Sequence, residues 1–236
     1  MKGGTTVLHE SLCAHPDIDS GTLKEIHYFS LYPHKDISWY ASHFENCSSR
    51  NCVDASPSYF DFAQGTQIPS MIKSAAPNAK IILIVRDPVA RAVSHFFHMK
   101  KVVKPDWLRG IEINEFFDQP FATACRQTSA KEWLLYQILW FSCYFRKFQY
   151  YRSVFGENSI LVLANDRLRR KPGETMYKTF AFLGLENFES PTFSDFKYST
   201  GSSVKYLDSK IYSKLSEFLH PDFEQFKEIS GVRCSS

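Results

Sequence analysis

Residues 80–98 read KIILIVRDPVARAVSHFFH, and the fold turns on how this stretch is parsed. Five aliphatic residues run from Ile81 to Val85, β-branched in the main, and Pro88 bounds the run. An apolar run of this length without polar alternation predicts a strand buried on both faces, as in a parallel sheet. A helix from about Val89 to Lys101 follows. Arg86 therefore stands just past the C-terminal end of a buried strand, where ligands gather in open α/β sheets. Ser94 lies eight residues on, inside the helix. An arginine at a strand end and a serine two turns along the next helix can converge on one phosphate, the arginine through a forked contact. The bland alternative pairs Arg86 with Asp87 and leaves Ser94 facing solvent.

Outward from this unit the pattern repeats. Residues 159–166, SILVLAND, form a second candidate buried strand, and 173–185, GETMYKTFAFLGL, a helix closed by Gly184. Between the strands a long helical stretch is expected over about 131–154. SWYASHF (38–44) and IPSMIKSAA (68–76) read as helices, LKEIHYFSLY (23–32) as a short strand or strand end, and VDASPSYF (53–60) as an extended piece broken at Pro57. Residues 209–229 give a C-terminal helical pair. Strands alternating with helices predict an α/β fold whose central, mainly parallel sheet is flanked by helices in three layers. No internal repeat or Gly/Pro/Ser-rich linker divides the chain, so residues 1–236 are expected to form one domain.

Composition narrows the function classes. With 236 residues, 44% hydrophobic and 16% aromatic, including 21 phenylalanines, the chain can bury an ordinary core and is not disordered. A net charge of +3 says little about partners and implies no nucleic-acid ligand. Basic clusters at Lys100, Lys101 and Lys104, at Arg146, Lys147 and Arg152, and at Arg167, Arg169, Arg170 and Lys171 read individually as solvated faces. No apolar run is long enough to span a bilayer. Cys47 and Cys52 stand close together in ENCSSRNC (45–52), either as a small disulfide loop or as two unrelated thiols. Asn46-Cys47-Ser48 fits the N-glycosylation pattern, and no histidine or cysteine spacing suggests a metal.

The chain opens MKGGTTVLHESLCAHPDI, where Lys2, Gly3, Gly4, Thr5 and Thr6 run straight into a helix marked by Val7, Leu8, Ser11 and Leu12. Such a junction leaves unpaired N–H groups at the positive end of a helix, a good place for a phosphate. A frayed terminus is the alternative. The lysine precedes the glycines, unlike the nucleotide-triphosphatase loop, and no magnesium-binding motif is evident, which argues against a kinase. Phosphate loops of this kind follow a buried strand, so a strand upstream of Met1 is expected.

Taken together, the two stretches resemble the sulfotransferases that use 3′-phosphoadenosine 5′-phosphosulfate as donor. Residues 2–6 look like their 5′-phosphosulfate loop, and Arg86 with Ser94 like their 3′-phosphate motif; the fold implied is P-loop-like. The resemblance extends towards the Golgi carbohydrate branch, the heparan sulfate N- and 3-O-sulfotransferases. KEIHYFS (24–30) is similar to the segment holding their catalytic glutamate, which places that role on Glu25, with His27 beside it. VDASPSYF is similar to their substrate-side segment, SILVLANDRL (159–168) to a core strand and turn, and STGSSVKYLDSKIYSKLSEF (199–218) to the loop closing over the adenosine. Thr200, Gly201, Ser202 and Lys205 fall there.

The resemblance implies a sulfuryl transfer in which Lys2 and the loop N–H groups stabilise the leaving phosphate and Glu25 is the general base. His27 would orient the base or the acceptor. It implies no metal. An Ala at position 55 and a Ser at position 30 depart from the 3-O-enzymes, which carry a lysine and an acidic residue there, and the late cysteine pair is missing. The donor site is thus better kept than the glycan-facing residues. The acceptor is expected to be a carbohydrate. The alternatives are a small non-carbohydrate molecule held by the aromatic stretch YFRKFQYYRSVF (144–155), or a catalytically silent module binding sulfated glycan or nucleotide. The branch implies a Golgi-lumenal enzyme anchored through a segment upstream of Met1, the alternative being the cytoplasm.

Overall fold

The computed structural model describes residues 4–48, 51–62, 65–189 and 203–233. Lys2, Gly3, Thr200, Gly201 and Ser202 lie outside them. In chain order the elements are α1 (Thr5–Cys13), β1 (Ile18–Asp19), α2 (Tyr28–Leu31), α3 (Ile37–Ser42), β2 (Asn51–Cys52), α4 (Ser58–Asp61), α5 (Gln67–Ala75) and β3 (Ile81–Val85). Then come α6 (Pro88–His98), α7 (Ile113–Asp118), α8 (Ala130–Ser142), α9 (Phe145–Phe155), β4 (Ile160–Ala164), α10 (Asn165–Arg170), α11 (Pro172–Leu183) and α12 (Ser209–Ser230).

The aliphatic run is a strand, and β3 pairs in parallel with β4, Ile81 opposite Ile160 through Val85 opposite Ala164. Successive side chains point to opposite faces. On one face Ile82, Ile84, Leu161 and Leu163 pack with Val7, Leu8 and Leu12 of α1 and Met176 and Phe180 of α11. On the other, Leu83, Val85 and Val162 meet Phe148 of α9 and Phe223 and Phe226 of α12. Two-sided burial is why neither strand alternates, and it puts helices in layers above and below the ladder. A third cluster joins α6, α7, α8 and α12 around Phe96, Phe116, Phe117 and Leu135, all fully buried.

β1 and β2 form a second parallel pair. Among the described residues the expected central sheet therefore appears as two ladders of two strands. A cavity of about 390 Å³ is lined by residues 52–55 beside β2 and by Ile81, Ile82, Leu83 and Ile84 of β3. Tyr144, Phe148 and Tyr151 of the aromatic stretch also line it, each buried to within 5% of its surface in the core.

Three expectations are corrected. Residues 28–31 are a short helix, not strand, because His27 takes left-handed backbone angles that turn the chain. The helical stretch over 131–154 is two helices: Asp222 Oδ1 accepts from the backbone N–H of both Tyr144 and Phe145, capping α9 and breaking the run at Cys143. The C-terminal pair is one helix, α12, which carries Pro221 inside it while Leu215, Leu219, Phe223 and Phe226 keep one buried stripe.

Lys147 also differs from the solvated face expected of it. It is 1% exposed, its Nζ donating to the Trp140 carbonyl at 2.9 Å between the Phe60 and Trp140 rings. Burial brings its ammonium down to about 8, against the pull of Asp61. Asp61 meets the buried Arg91 guanidinium at 3.3 Å, and Arg91 donates also to Ser142 Oγ. These charges pin α4, and with it the substrate-side segment, to α6, α8 and α9.

Candidate active site

Gly4 turns the chain into α1 at φ 98°, in the left-handed region. A Cβ there would lie 2.2 Å from Asn165 Nδ2 and 3.3 Å from the Ile84 methyl, so glycine is required twice over. Ile84 and Asn165 sit at the C-terminal ends of β3 and β4, which places the first turn of α1 over the ladder's carboxyl edge. Thr5 lines the cavity beside β3; Thr6 is exposed.

Lys24 reaches this turn from the neighbouring segment. Its Nζ donates to Thr6 Oγ1 and to Glu25 Oε1, both at 2.9 Å. Glu25 thus pairs with Lys24, and the same ammonium holds it beside the first turn of α1. The other carboxylate oxygen, Oε2, faces His27 Nε2 at 3.4 Å. Extended backbone was expected to put Glu25 and His27 on one face; a left-handed His27 brings them together instead.

The segment 53–60 is the scaffold for this pair. Asp54 Oδ1 accepts from Ser56 N–H, Ser56 Oγ and Ile26 N–H, and Oδ2 from the hydroxyls of Tyr59 at 2.6 Å and Tyr40 at 3.4 Å. Burial first, then the Asp54 charge, push both phenols up, so they stay protonated donors. His9 of α1 also lines the cavity, and burial followed by the Lys24 charge lowers its imidazole.

Arg86 lies at the end of β3, half-buried. Asp87 does not pair with it. One Asp87 oxygen accepts from Ala90 N–H at 2.7 Å, capping α6, and the other faces His220 at 3.3 Å. Burial first, then the like charge of Arg169, lower the Arg86 guanidinium. Among the described residues no ion pair joins either arginine to a carboxylate. Two adjoining cations without an anion fit a bound phosphate. Ser94 is half-buried on α6, and Lys205 is exposed on the turn Ser203–Tyr206, whose Tyr206 ring packs on Phe97 of the same helix. Cys47 and Cys52 are free thiols, Cys52 pushed up to about 11 by burial and then by Cys47.

Lys24, Ser58 and Arg169 were not singled out from sequence. Lys24 and Ser58 stand within quoted motifs and Arg169 inside a basic run. Nothing in their spacing marks them; only the fold brings them in.

The family described as sulfotransferase domain matches residues 1–231. The chain belongs to the sulfotransferase family. This sulfotransferase chain is 28% identical over 197 residues to the human bifunctional heparan sulfate N-deacetylase/N-sulfotransferase 2, covering 80% of the chain and 21% of that protein. It is 25% identical over 252 residues to human heparan sulfate glucosamine 3-O-sulfotransferase 3B1, covering 98% and 61%. The chain thus spans part of each relative. A 38% identity to the Dictyostelium discoideum membrane-associated sulfotransferase kil1 covers 41% of the chain. In fold it matches a sulfotransferase from Alicyclobacillus acidocaldarius with a TM-score of 0.76 at 21% identity, covering 98% of this chain and 93% of that one.

Proposed function

We propose that this chain transfers a sulfuryl group from 3′-phosphoadenosine 5′-phosphosulfate to a hydroxyl or amine of a carbohydrate acceptor, with Glu25 as general base. The observation that carries the reading is the Lys24 bridge: one ammonium holds both the donor-loop helix and the candidate base. Gly4, Thr5 and Thr6 at the head of α1, with Lys2 and Gly3 before them, suit the 5′-phosphosulfate. Arg86 and Ser94 suit the 3′-phosphate. Thr200, Gly201, Ser202 and Lys205 belong to the segment assigned to the adenosine.

Sulfuryl transfer in line asks for a donor held still and a nucleophile losing its proton as it attacks. The Glu25 carboxylate takes that proton. Lys24, touching Glu25 on one side and Thr6 on the other, keeps the base facing the loop; the cations and helix N–H groups offset charge growing on the leaving phosphate. The relatives named for heparan sulfate favour a carbohydrate acceptor. A small non-carbohydrate acceptor is less well supported, since Tyr144, Phe148, Tyr151 and Phe155 of the aromatic stretch are buried in the core. A silent binding module would not need the Lys24–Glu25–His27 arrangement.

We further propose that residues 1–236 form one P-loop-like domain built around the β3–β4 ladder. Lumenal Golgi residence is supported by the Asn46-Cys47-Ser48 pattern and by a relative named as membrane-associated. No helix among the described residues is long and apolar enough to cross a membrane.

The decisive experiment is Glu25→Gln, assayed by transfer of labelled sulfate to a glycan panel. Gln keeps shape and one acceptor oxygen but takes no proton at neutral pH, so turnover should fall by about a hundred- to ten-thousand-fold with donor affinity kept. Retention of more than about a third of wild-type turnover, well outside that range, would move the base elsewhere.

A further inference from the structure

His27 has φ 58° and ψ 18°, left-handed angles that strain a non-glycine residue and persist where the surroundings impose them. The surroundings here are serines. The His27 backbone N–H donates to Ser56 Oγ at 2.8 Å, and Ser56 in turn donates to Asp54. On the ring, Nδ1 lies 2.6 Å from Ser58 Oγ, Ser58 Oγ lies 2.5 Å from Ser30 Oγ, and Ser30 Oγ donates to the His27 carbonyl at 3.2 Å. Ser58 is 6% exposed. The contacts close a ring that begins and ends on His27.

The ring holds three contacts and two hydroxyl protons. If Nδ1 is a bare lone pair, Ser58 must donate to it. The single Ser30 proton is then claimed by both Ser58 and the carbonyl, and one contact fails. If Nδ1 carries a proton, it donates to Ser58, Ser58 to Ser30, and Ser30 to the carbonyl, each once and head to tail. Only the second count satisfies every group. Nε2 is then unprotonated in the neutral ring. Its lone pair then faces Glu25 Oε2, 3.4 Å away.

We propose that Ser58 and Ser30 are positioning residues that fix His27 as its Nδ1–H tautomer, so that Nε2 receives the proton Glu25 removes from the acceptor. The proposal rests on Glu25 being the base. As the acceptor oxygen or nitrogen bonds to sulfur, its proton passes to Glu25 Oε2. Glu25 hands it to the Nε2 lone pair and returns to carboxylate, and the imidazolium releases the proton to solvent before the next turnover. Lys24 holds the other oxygen throughout, and the imidazolium keeps its Nδ1–H bond to Ser58.

The test is long-range ¹H–¹⁵N correlation on protein labelled at histidine nitrogens, at a pH where the ring is neutral, with His27 assigned by its loss in His27→Gln. The wild-type ring should show a protonated Nδ1 and a bare Nε2. Ser58→Ala, and Ser30→Ala at a half-buried position less able to disturb folding, should shift the ring towards the Nε2–H form. Each should lower turnover about tenfold or more while affinity for adenosine 3′,5′-bisphosphate stays within about twofold. An Nε2–H wild-type ring, or serine variants with unchanged tautomer and turnover, overturns the proposal. Because the tautomer is read in the resting protein, Glu25→Gln with full activity would refute the base assignment separately.

Discussion

Lys24 Nζ donates to Thr6 Oγ1 at 2.9 Å while pairing with Glu25 at the same distance. A contact between two segments eighteen positions apart therefore fixes Glu25 beside the first turn of α1, where the proposed base would face the proposed donor loop. Replacing Lys24 with Met keeps the stem and removes both bonds. Turnover should fall at least about tenfold, since misplacing a reacting group by an ångström can cost a hundredfold. Stability should move by no more than about 1 kcal/mol, because the pair is a third exposed. Steady-state rates beside a thermal melt decide it; unchanged turnover makes the bridge structural only.

Arg86 and Arg169 supply the second prediction. Arg86→Ala should weaken adenosine 3′,5′-bisphosphate by about ten- to a hundredfold, the equivalent of a lost charge-assisted contact of roughly 1.5–3 kcal/mol, and leave adenosine 5′-phosphate nearly unaffected. Arg169→Ala should act in the same direction. Titration calorimetry with both nucleotides checks this, and equal losses for the two would place Arg86 away from the 3′-phosphate.

The strands, the glycine junction and the Arg86 position were legible because each is a local pattern: an unbroken aliphatic run, a glycine before a helical stripe, a polar residue at a strand end. The break at Cys143 was not, since it is made by Asp222, a residue some eighty positions on, donating nothing to local propensity. The run through Pro221 was misjudged for the same reason, a buried stripe overriding a helix breaker. Glu25 is reached through resemblance alone, and Ser58 and Ser30 gather around His27, which abandons the extended backbone its sequence suggests.

The buried Asp61–Arg91 pair gives a stability prediction. Arg91 is 2% exposed and Asp61 4%, so removing the guanidinium takes a close countercharge from a buried carboxylate. Arg91→Met should cost about 3–5 kcal/mol, or roughly 6–20 °C in Tm for a chain of this size. Because Asp61 ends α4, where Ser58 stands, activity should fall in the surviving folded fraction as well. A melting point within about 2 °C of wild type, under 1 kcal/mol on the same scale, would show that the pair contributes nothing net.

His95 predicts how the protein responds to acid. It is 1% exposed, stacks on Phe141 with ring centroids 5.8 Å apart, and its Nδ1 has no hydrogen-bond partner among the described residues. Burial, then the neighbouring Arg91 charge, bring its imidazole down to about 3, with Asp61 pulling the other way. The folded protein therefore keeps the ring neutral while the unfolded chain protonates it near the ordinary histidine value of about 6.5. Between those limits the unfolded state binds the extra proton, so this stabilisation is complete above the unfolded value and drains away as pH falls, by roughly 1.4 kcal/mol per unit. From about pH 7.5 to about pH 5 the contribution is about 2 kcal/mol. His95→Phe keeps an aromatic ring against Phe141 and abolishes the linkage. Urea melts at the two pH values should show wild type losing about 2 kcal/mol more than the variant over that interval. Parallel losses in the two proteins would mean that His95 titrates alike folded and unfolded, and that the acid sensitivity of the core arises at another group.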